Sequence, residues 1–171
     1  MGADLVVFPE ATMASFATAS AQVAEPLDGP FAEGVRALAA EFGTTIAVGM
    51  FTPAAGGRCR NTLLVTGPGG EASYDKLHLF DAFGFAESEH VEPGERPVLV
   101  EVAGVTVGLA ICYDLRFPDL FTHYARAGAD LVVVGASWQA GPGKVDHWRT
   151  LARARALDAT VFVAACGQAA P

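Results

Sequence analysis

Short apolar runs, each closed by a Pro, a Gly or a polar turn, alternate along this chain with stretches whose apolar residues recur at helical spacing. Asp4-Leu5-Val6-Val7-Phe8, stopped by Pro9, shows no in–out alternation and reads as a strand buried on both faces. Phe31, Val35, Leu38, Ala39 and Phe42 fall on one face of a helix that Gly43 terminates, and Thr44 to Met50 follows as a second buried strand. Asn61 to Thr66 and Glu71 to Asp75, joined by Gly67-Pro68-Gly69-Gly70, predict a β-hairpin. Beyond the irregular stretch from Leu77 to Pro97, Val98 to Val102 and Val105 to Ile111 form another strand pair. A helix over Phe117 to Ala127, a strand over Ala129 to Gly135, a helix over Asp146 to Asp158 and a strand over Thr160 to Ala165 complete the pattern. Mixed strand pairing with interleaved helices predicts a layered α/β fold rather than a pure doubly wound sheet.

Composition removes several function classes. The 171 residues suffice for one domain with a sizeable core, and with 51 % of them hydrophobic the chain has ample apolar surface to offset the entropy of ordering. A net charge of −8 without clustered Lys and Arg argues against a nucleic-acid partner. No apolar run approaches the roughly 20 residues that cross a bilayer, so no membrane partner is expected. The N-terminus lacks the basic start and cleavage site of a signal peptide. Cys59, Cys112 and Cys166 are odd in number and form no C-x-x-C pair, which predicts a reducing, cytoplasmic setting and no disulfide framework. His78, His90, His123 and His147 lack the pair spacing of a zinc site. Gly135-Ala136-Ser137-Trp138 is not a serine-hydrolase elbow, and Gly67-Pro68-Gly69-Gly70 lacks the spacing of a phosphate loop.

Three reactive side chains stand just beyond predicted strands, where open α/β folds place their sites: Glu10 after Val7-Phe8-Pro9, Lys76 after Tyr74-Asp75, and Cys112 after Gly108-Leu109-Ala110-Ile111. Singly, each has an ordinary structural explanation: a helix-capping carboxylate, a solvated lysine, a small buried hydrophobe. Together they supply what acyl transfer from an amide needs. A carboxylate accepts the thiol proton, an ammonium favours the thiolate, and the same ammonium stabilises the oxyanion of a tetrahedral intermediate. The long 77–97 stretch is also the kind of loop that carries function.

Val7-Phe8-Pro9-Glu10, Tyr74-Asp75-Lys76-Leu77-His78-Leu79-Phe80-Asp81 and Gly108-Leu109-Ala110-Ile111-Cys112-Tyr113-Asp114-Leu115-Arg116-Phe117-Pro118 resemble, in order and spacing, the three signature blocks of the nitrilase superfamily of carbon–nitrogen hydrolases. The likeness continues through Gly135-Ala136-Ser137-Trp138 and from His147-Trp148 to Arg153-Ala154-Arg155-Ala156. It implies a four-layer αββα sandwich, a single carbon–nitrogen hydrolase domain over residues 1–171, and assembly as a homodimer or larger homo-oligomer. By the resemblance, Glu10 is the general base, Lys76 the oxyanion-stabilising lysine and Cys112 the nucleophile. Glu87 matches a second carboxylate that positions the site, and the Tyr113 N–H completes the oxyanion hole. No metal or organic cofactor is implied.

Tyr113-Asp114-Leu115-Arg116 after the cysteine is similar to the amidase-like Nit branch, whereas true nitrilases carry Trp-Glu there. The substrate implied is a small-molecule amide. Arg116 matches a position that holds a substrate carboxylate, which suggests an ω-amide of a small acid; an ion pair with Asp114 or Asp119 is the structural alternative. Phe83, Phe85, Trp138 and His147 are candidate pocket residues. Against the family's length the chain reads as incomplete at both termini, and a catalytically silent folding or assembly module is the alternative to an enzyme. An N-carbamoyl amidase or a nitrilase is the further alternative.

Overall fold

The first apolar run pairs in parallel with the next one across a helix, and that crossover sets the architecture. In the computed structural model, which describes residues 2–168, β1 (Leu5–Val7) lies parallel to β2 (Thr45–Pro53). The antiparallel β3 (Cys59–Gly67) and β4 (Gly70–Asp75) continue the sheet in the order β1-β2-β3-β4. A second sheet runs β10-β9-β8-β7, built from β7 (Leu99–Val102), β8 (Val105–Ile111), β9 (Leu131–Ala136) and β10 (Phe162–Gly167). Its β7–β8 pair is antiparallel, while β8, β9 and β10 are parallel and joined through α3 (Pro118–Arg126) and α4 (Lys144–Ala159). A two-residue hairpin, β5 (Asp81–Ala82) with β6 (Phe85–Ala86), stands apart from both sheets, and a single turn, α1 (Ser20–Val23), precedes α2 (Pro30–Phe42).

Why these residues form these elements is visible at their ends. Pro30 sits in the first turn of α2, where its missing N–H costs nothing. The next free donor, Phe31 N–H, is accepted by Glu25 Oε2 at 2.9 Å. Gly43, at φ 59°, takes the left-handed conformation that ends the helix. The helix buries Ala32, Val35 and Ala39 against Ile46, Val48, Met50 and Leu64. Leu38 and Phe42, expected on that face, are 48 % and 69 % exposed. The small Ala32 and Ala39 set a close helix–sheet contact; Leu38 lies on its flank and Phe42 in the last turn.

The opposite face of the first sheet meets the second. Ala47, Leu63, Val65 and Tyr74 pack against Val107, Leu109, Ile111 and Val133, so β2 and β8 are covered on both sides. On the far face, Leu120, Phe121 and Tyr124 of α3 and Ala159 of α4 cover Ala110, Val132 and Val134. The four layers are α2, the two sheets, and α3 with α4: the αββα sandwich expected from the sequence.

Candidate active site

Parallel pairing across the two sheets brings several strand ends to one place. β1 and β4 run in the same direction within the first sheet, as do β8 and β9 within the second. The residues that follow these strands, Glu10, Lys76, Cys112 and Ser137, all line one cavity of about 780 Å³. The segment carrying Glu10 passes between the sheets through a gap that only glycine leaves. A Cβ at Gly49 would lie 2.5 Å from Ala11 N and 2.8 Å from Pro9 O, and one at Gly135 would lie 2.9 Å from Phe8 O.

The cavity floor is a charged cluster withdrawn from solvent. Glu10, Lys76 and Glu87 are buried, with exposures of 3 %, 2 % and 5 %. Lys76 Nζ donates to Glu10 Oε1 at 3.0 Å and to both oxygens of Glu87, at 2.9 and 3.2 Å. Glu10 Oε2 accepts the Ser137 N–H at 2.8 Å, and Glu87 Oε2 accepts the Phe80 N–H at 2.7 Å. Asn61 Nδ2 donates to Glu10 at 2.8 Å and to Glu87 at 3.3 Å. Burial alone would raise the Glu10 pKa, but the Lys76 charge and the Ser137 hydrogen bond outweigh it and hold Glu10 below the usual carboxylate value. Burial likewise works against charge on Lys76, yet Glu10 and Glu87 together keep its pKa well above that of a free lysine. For Cys112, burial comes first and the Glu10 charge second, so the thiol is pushed well above its ordinary value despite Lys76. Both directions favour a thiol beside a carboxylate over a thiolate beside a carboxylic acid.

Cys112 opens the tight turn that follows β8, with φ 45°, a left-handed conformation unfavourable for a side chain and stable only where its surroundings fix it. Asp114, fully buried, supplies that fixation. Its Oδ2 accepts the Ile111 N–H at 2.9 Å and the Tyr74 hydroxyl at 2.7 Å. Its Oδ1 accepts the His78 N–H at 3.0 Å and the His78 Nδ1–H at 2.7 Å, and the His78 ring stacks on Phe117 with centroids 3.7 Å apart. The turn bearing Cys112 is thus tied to β4 and to the segment just after Lys76.

The other sequence candidates divide. Tyr113, Arg116, Phe85 and Trp138 line the cavity, the Arg116 guanidinium carbon lying 5.4 Å from the Trp138 ring centroid. Arg116 is not paired with Asp114 or Asp119: among the described residues no carboxylate lies within 4.0 Å of it. The structure does not bring Phe83 or His147 into the cavity wall. Phe83 caps the β5–β6 turn at φ 56° and is 86 % exposed, its ring meeting Lys144 Nζ at 4.9 Å, and His147 is exposed on α4. Sequence reasoning missed Asn61, Asp114 and the Ser137 N–H as partners of the cluster, and Phe16, Phe80 and Lys144 as wall residues. One signal was present: an Asn in an apolar strand is a poor strand former that must find a partner when buried. Among the described residues, no group of three or more His, Cys, Asp or Glu could hold a metal ion, and no helix is long and apolar enough to cross a membrane.

Comparison with known proteins shows the family of the chain. A hydrolase of Mycobacterium tuberculosis is 58 % identical over 174 residues, covering 99 % of this chain and 62 % of its own length. A deaminated glutathione amidase of Escherichia coli is 41 % identical over 169 residues, 96 % of this chain and 64 % of its own. An omega-amidase of Xenopus tropicalis is 34 % identical over 176 residues, 98 % of this chain and 63 % of its own. The chain thus spans slightly less than two thirds of the length of each. Among solved structures, a CN-hydrolase superfamily protein of Xanthomonas campestris with an arsenic adduct in its active site superposes with a TM-score of 0.86 at 32 % identity, over 98 % of this chain and 64 % of that one. The carbon–nitrogen hydrolase family model matches residues 1–171. The chain belongs to the carbon–nitrogen hydrolase family, within the Nit-like part of the nitrilase superfamily.

Proposed function

We propose that this chain carries the active site of an amidase that hydrolyses a small amide through a thioester on Cys112. The observation that carries the reading is the meeting of Glu10, Lys76 and Cys112 at the floor of one cavity, with Glu87 behind them. In this reading Glu10 accepts the Cys112 proton as the sulfur attacks the amide carbonyl. That transfer leaves the net charge of the floor unchanged, so it avoids the cost of placing a third anion beside Glu10 and Glu87 in a buried site. The oxyanion is held by Lys76 and by the Tyr113 N–H. A lysine ammonium has three N–H donors. Glu10 takes one and Glu87 shares another between its two oxygens, which leaves one for the substrate.

Collapse of the tetrahedral intermediate breaks the C–N bond, and Glu10 returns its proton to the leaving nitrogen, which departs as ammonia. Water, deprotonated by Glu10, then attacks the thioester; the carboxylic acid leaves and the thiol is restored. The sum is amide plus water giving acid plus ammonia, with no metal or organic cofactor needed. Glu87 holds Lys76 in place throughout.

The substrate in this reading is an ω-amide of a small carboxylic acid, its carboxylate paired with Arg116, which has no carboxylate partner among the described residues. A guanidinium suits such bidentate pairing. Phe85 and Trp138 flank the acyl chain. The reading includes a single domain over 1–171, a cytoplasmic setting and assembly as a homo-oligomer, the last supported by exposed Leu157 and Phe162, each 79 % accessible. Ammonia release from a panel of ω-amides, compared between the native chain and Cys112→Ala, tests it. Loss of release in the variant is expected. Undiminished release would remove Cys112 from the mechanism, and turnover of nitriles alone would move the chain to another branch.

A further inference from the structure

Asn61 is fully buried near the start of β3, between Arg60 and Thr62, and hydrogen-bonds to each of the three charged residues of the cavity floor. Its main-chain carbonyl accepts the Lys76 N–H at 2.9 Å, which fixes where the lysine leaves β4. Its side-chain Nδ2 reaches Glu10 Oε1 at 2.8 Å and Glu87 Oε1 at 3.3 Å. Its Oδ1 is buried with no hydrogen-bond partner among the described residues. The opposite amide orientation would turn that oxygen toward two carboxylates, so the orphaned acceptor is the cost of aiming both N–H bonds at the acids. A residue needed only to fill space here would be an apolar one of similar size.

We propose that Asn61 is a positioning residue for the Glu10 carboxylate. Its amide bridges Glu10 and Glu87, holds the Glu10 oxygen toward Lys76 and limits how readily Glu10 retains a proton between the two halves of the reaction. The proposal rests on the reading of Glu10 as the base. The titratable and charged groups that face Glu10 are Lys76 from the end of β4, Glu87 from the turn after β6 and Cys112 from the end of β8. The neutral donors are Asn61 Nδ2 and the Ser137 N–H. Of these, Lys76, the Cys112 thiol and the two neutral donors favour the ionised acid. Removing the Asn61 donor therefore raises the proton affinity of Glu10, and a carboxylate in its place raises it further.

The test uses the full chain and the pH dependence of kcat/KM for an amide that the native protein hydrolyses. Asn61→Leu is expected to move the acid limb upward by about one pH unit and to lower kcat about tenfold with little change in KM. The isosteric Asn61→Asp is expected to move the limb further in the same direction. An acid limb at its native position in both variants, with kcat retained, would overturn the proposal. A variant that had only lost packing would show a lower melting temperature and an unmoved limb. If neither variant folds, the side-chain amide resonances of Asn61 decide the matter in the native chain and in Glu10→Gln. They must move as Glu10 titrates and shift in Glu10→Gln; unmoved resonances overturn the proposal. Full ammonia release by Glu10→Gln would instead remove Glu10 as the base, while the resonances would still report whether Asn61 bonds to it.

Discussion

At the cavity floor Glu10, Lys76 and Glu87 are at most 5 % exposed, and every carboxylate oxygen has a donor; at the rim Phe85 is 55 % exposed, and Phe83, outside the wall on the same hairpin, 86 %. The floor is drawn from strand ends of two facing sheets and cross-linked by hydrogen bonds spanning much of the sequence. The rim is drawn from a two-residue hairpin, a turn and the start of α4, and its contacts are aromatic faces and cation–ring approaches. A buried cluster with like charges close together persists only if its geometry is over-determined, so the floor tolerates little change. The rim obeys no such constraint, and in this reading it is the part free to fit different substrates.

The sharpest break of that contrast is Lys76→Met. It leaves Glu10 and Glu87 buried without a cation, and breaking a buried pair in this way costs about 3–5 kcal/mol. Urea denaturation should show a loss of that order together with loss of amide hydrolysis; a variant as stable as the native chain would mean that the floor is not held by charge. Asp114→Asn comes next. It replaces one of two acceptor oxygens by a donor facing His78 or Tyr74, an unmet bond worth about 1–3 kcal/mol. The melting temperature and kcat should fall together, because the turn holding Cys112 loosens.

A smaller effect follows from pH. Glu10 is held below its ordinary value in the folded chain, so its contribution to stability is present above the carboxylate pKa of about 4.3 and is lost as pH falls through the lower folded value. Stability measured from pH 6 downward should decline more steeply in the native chain than in Glu10→Gln; parallel curves would contradict the charge-held floor. The substitutions at the rim and on the hairpin beside it come last. Arg116→Leu should raise KM for a carboxylate-bearing amide about tenfold, equivalent to about 1.4 kcal/mol, and leave neutral amides untouched. Phe83→Ala should change stability by no more than about 0.5 kcal/mol. Equal losses on charged and neutral amides would deny Arg116 its proposed partner.

The same division explains what could be read in the sequence. The strands were legible because β2, β8 and β9 are buried on both faces and therefore appear as largely apolar runs, while β3 and β4 were marked by the turn between them. Glu10 and Cys112 were legible because each follows an apolar run, and Lys76 because it closes the hairpin of β3 and β4. Asn61 and Asp114 were not assigned their contacts, since their partners lie 51 and 40 residues away and meet them only when hairpin and sheets assemble. Phe83 and His147 were named as wall residues although the structure keeps them outside the cavity. Where a side chain on a hairpin tip or an exposed helix face points depends on backbone turns such as the φ of 56° at Phe83, and residue type does not encode that. Leu38 and Phe42 teach the same about α2, where small residues and not the largest ones chose the buried stripe.

The account turns on Cys112 forming a bond to the acyl group. Acid quenching during turnover of an ω-amide, followed by intact-protein mass spectrometry, measures this directly. The account predicts a population heavier by the acyl group, located by peptide mapping on Cys112, discharged by hydroxylamine and absent from Cys112→Ala. Steady ammonia release with no adduct at any quench time, and with Cys112→Ala equally active, would contradict it.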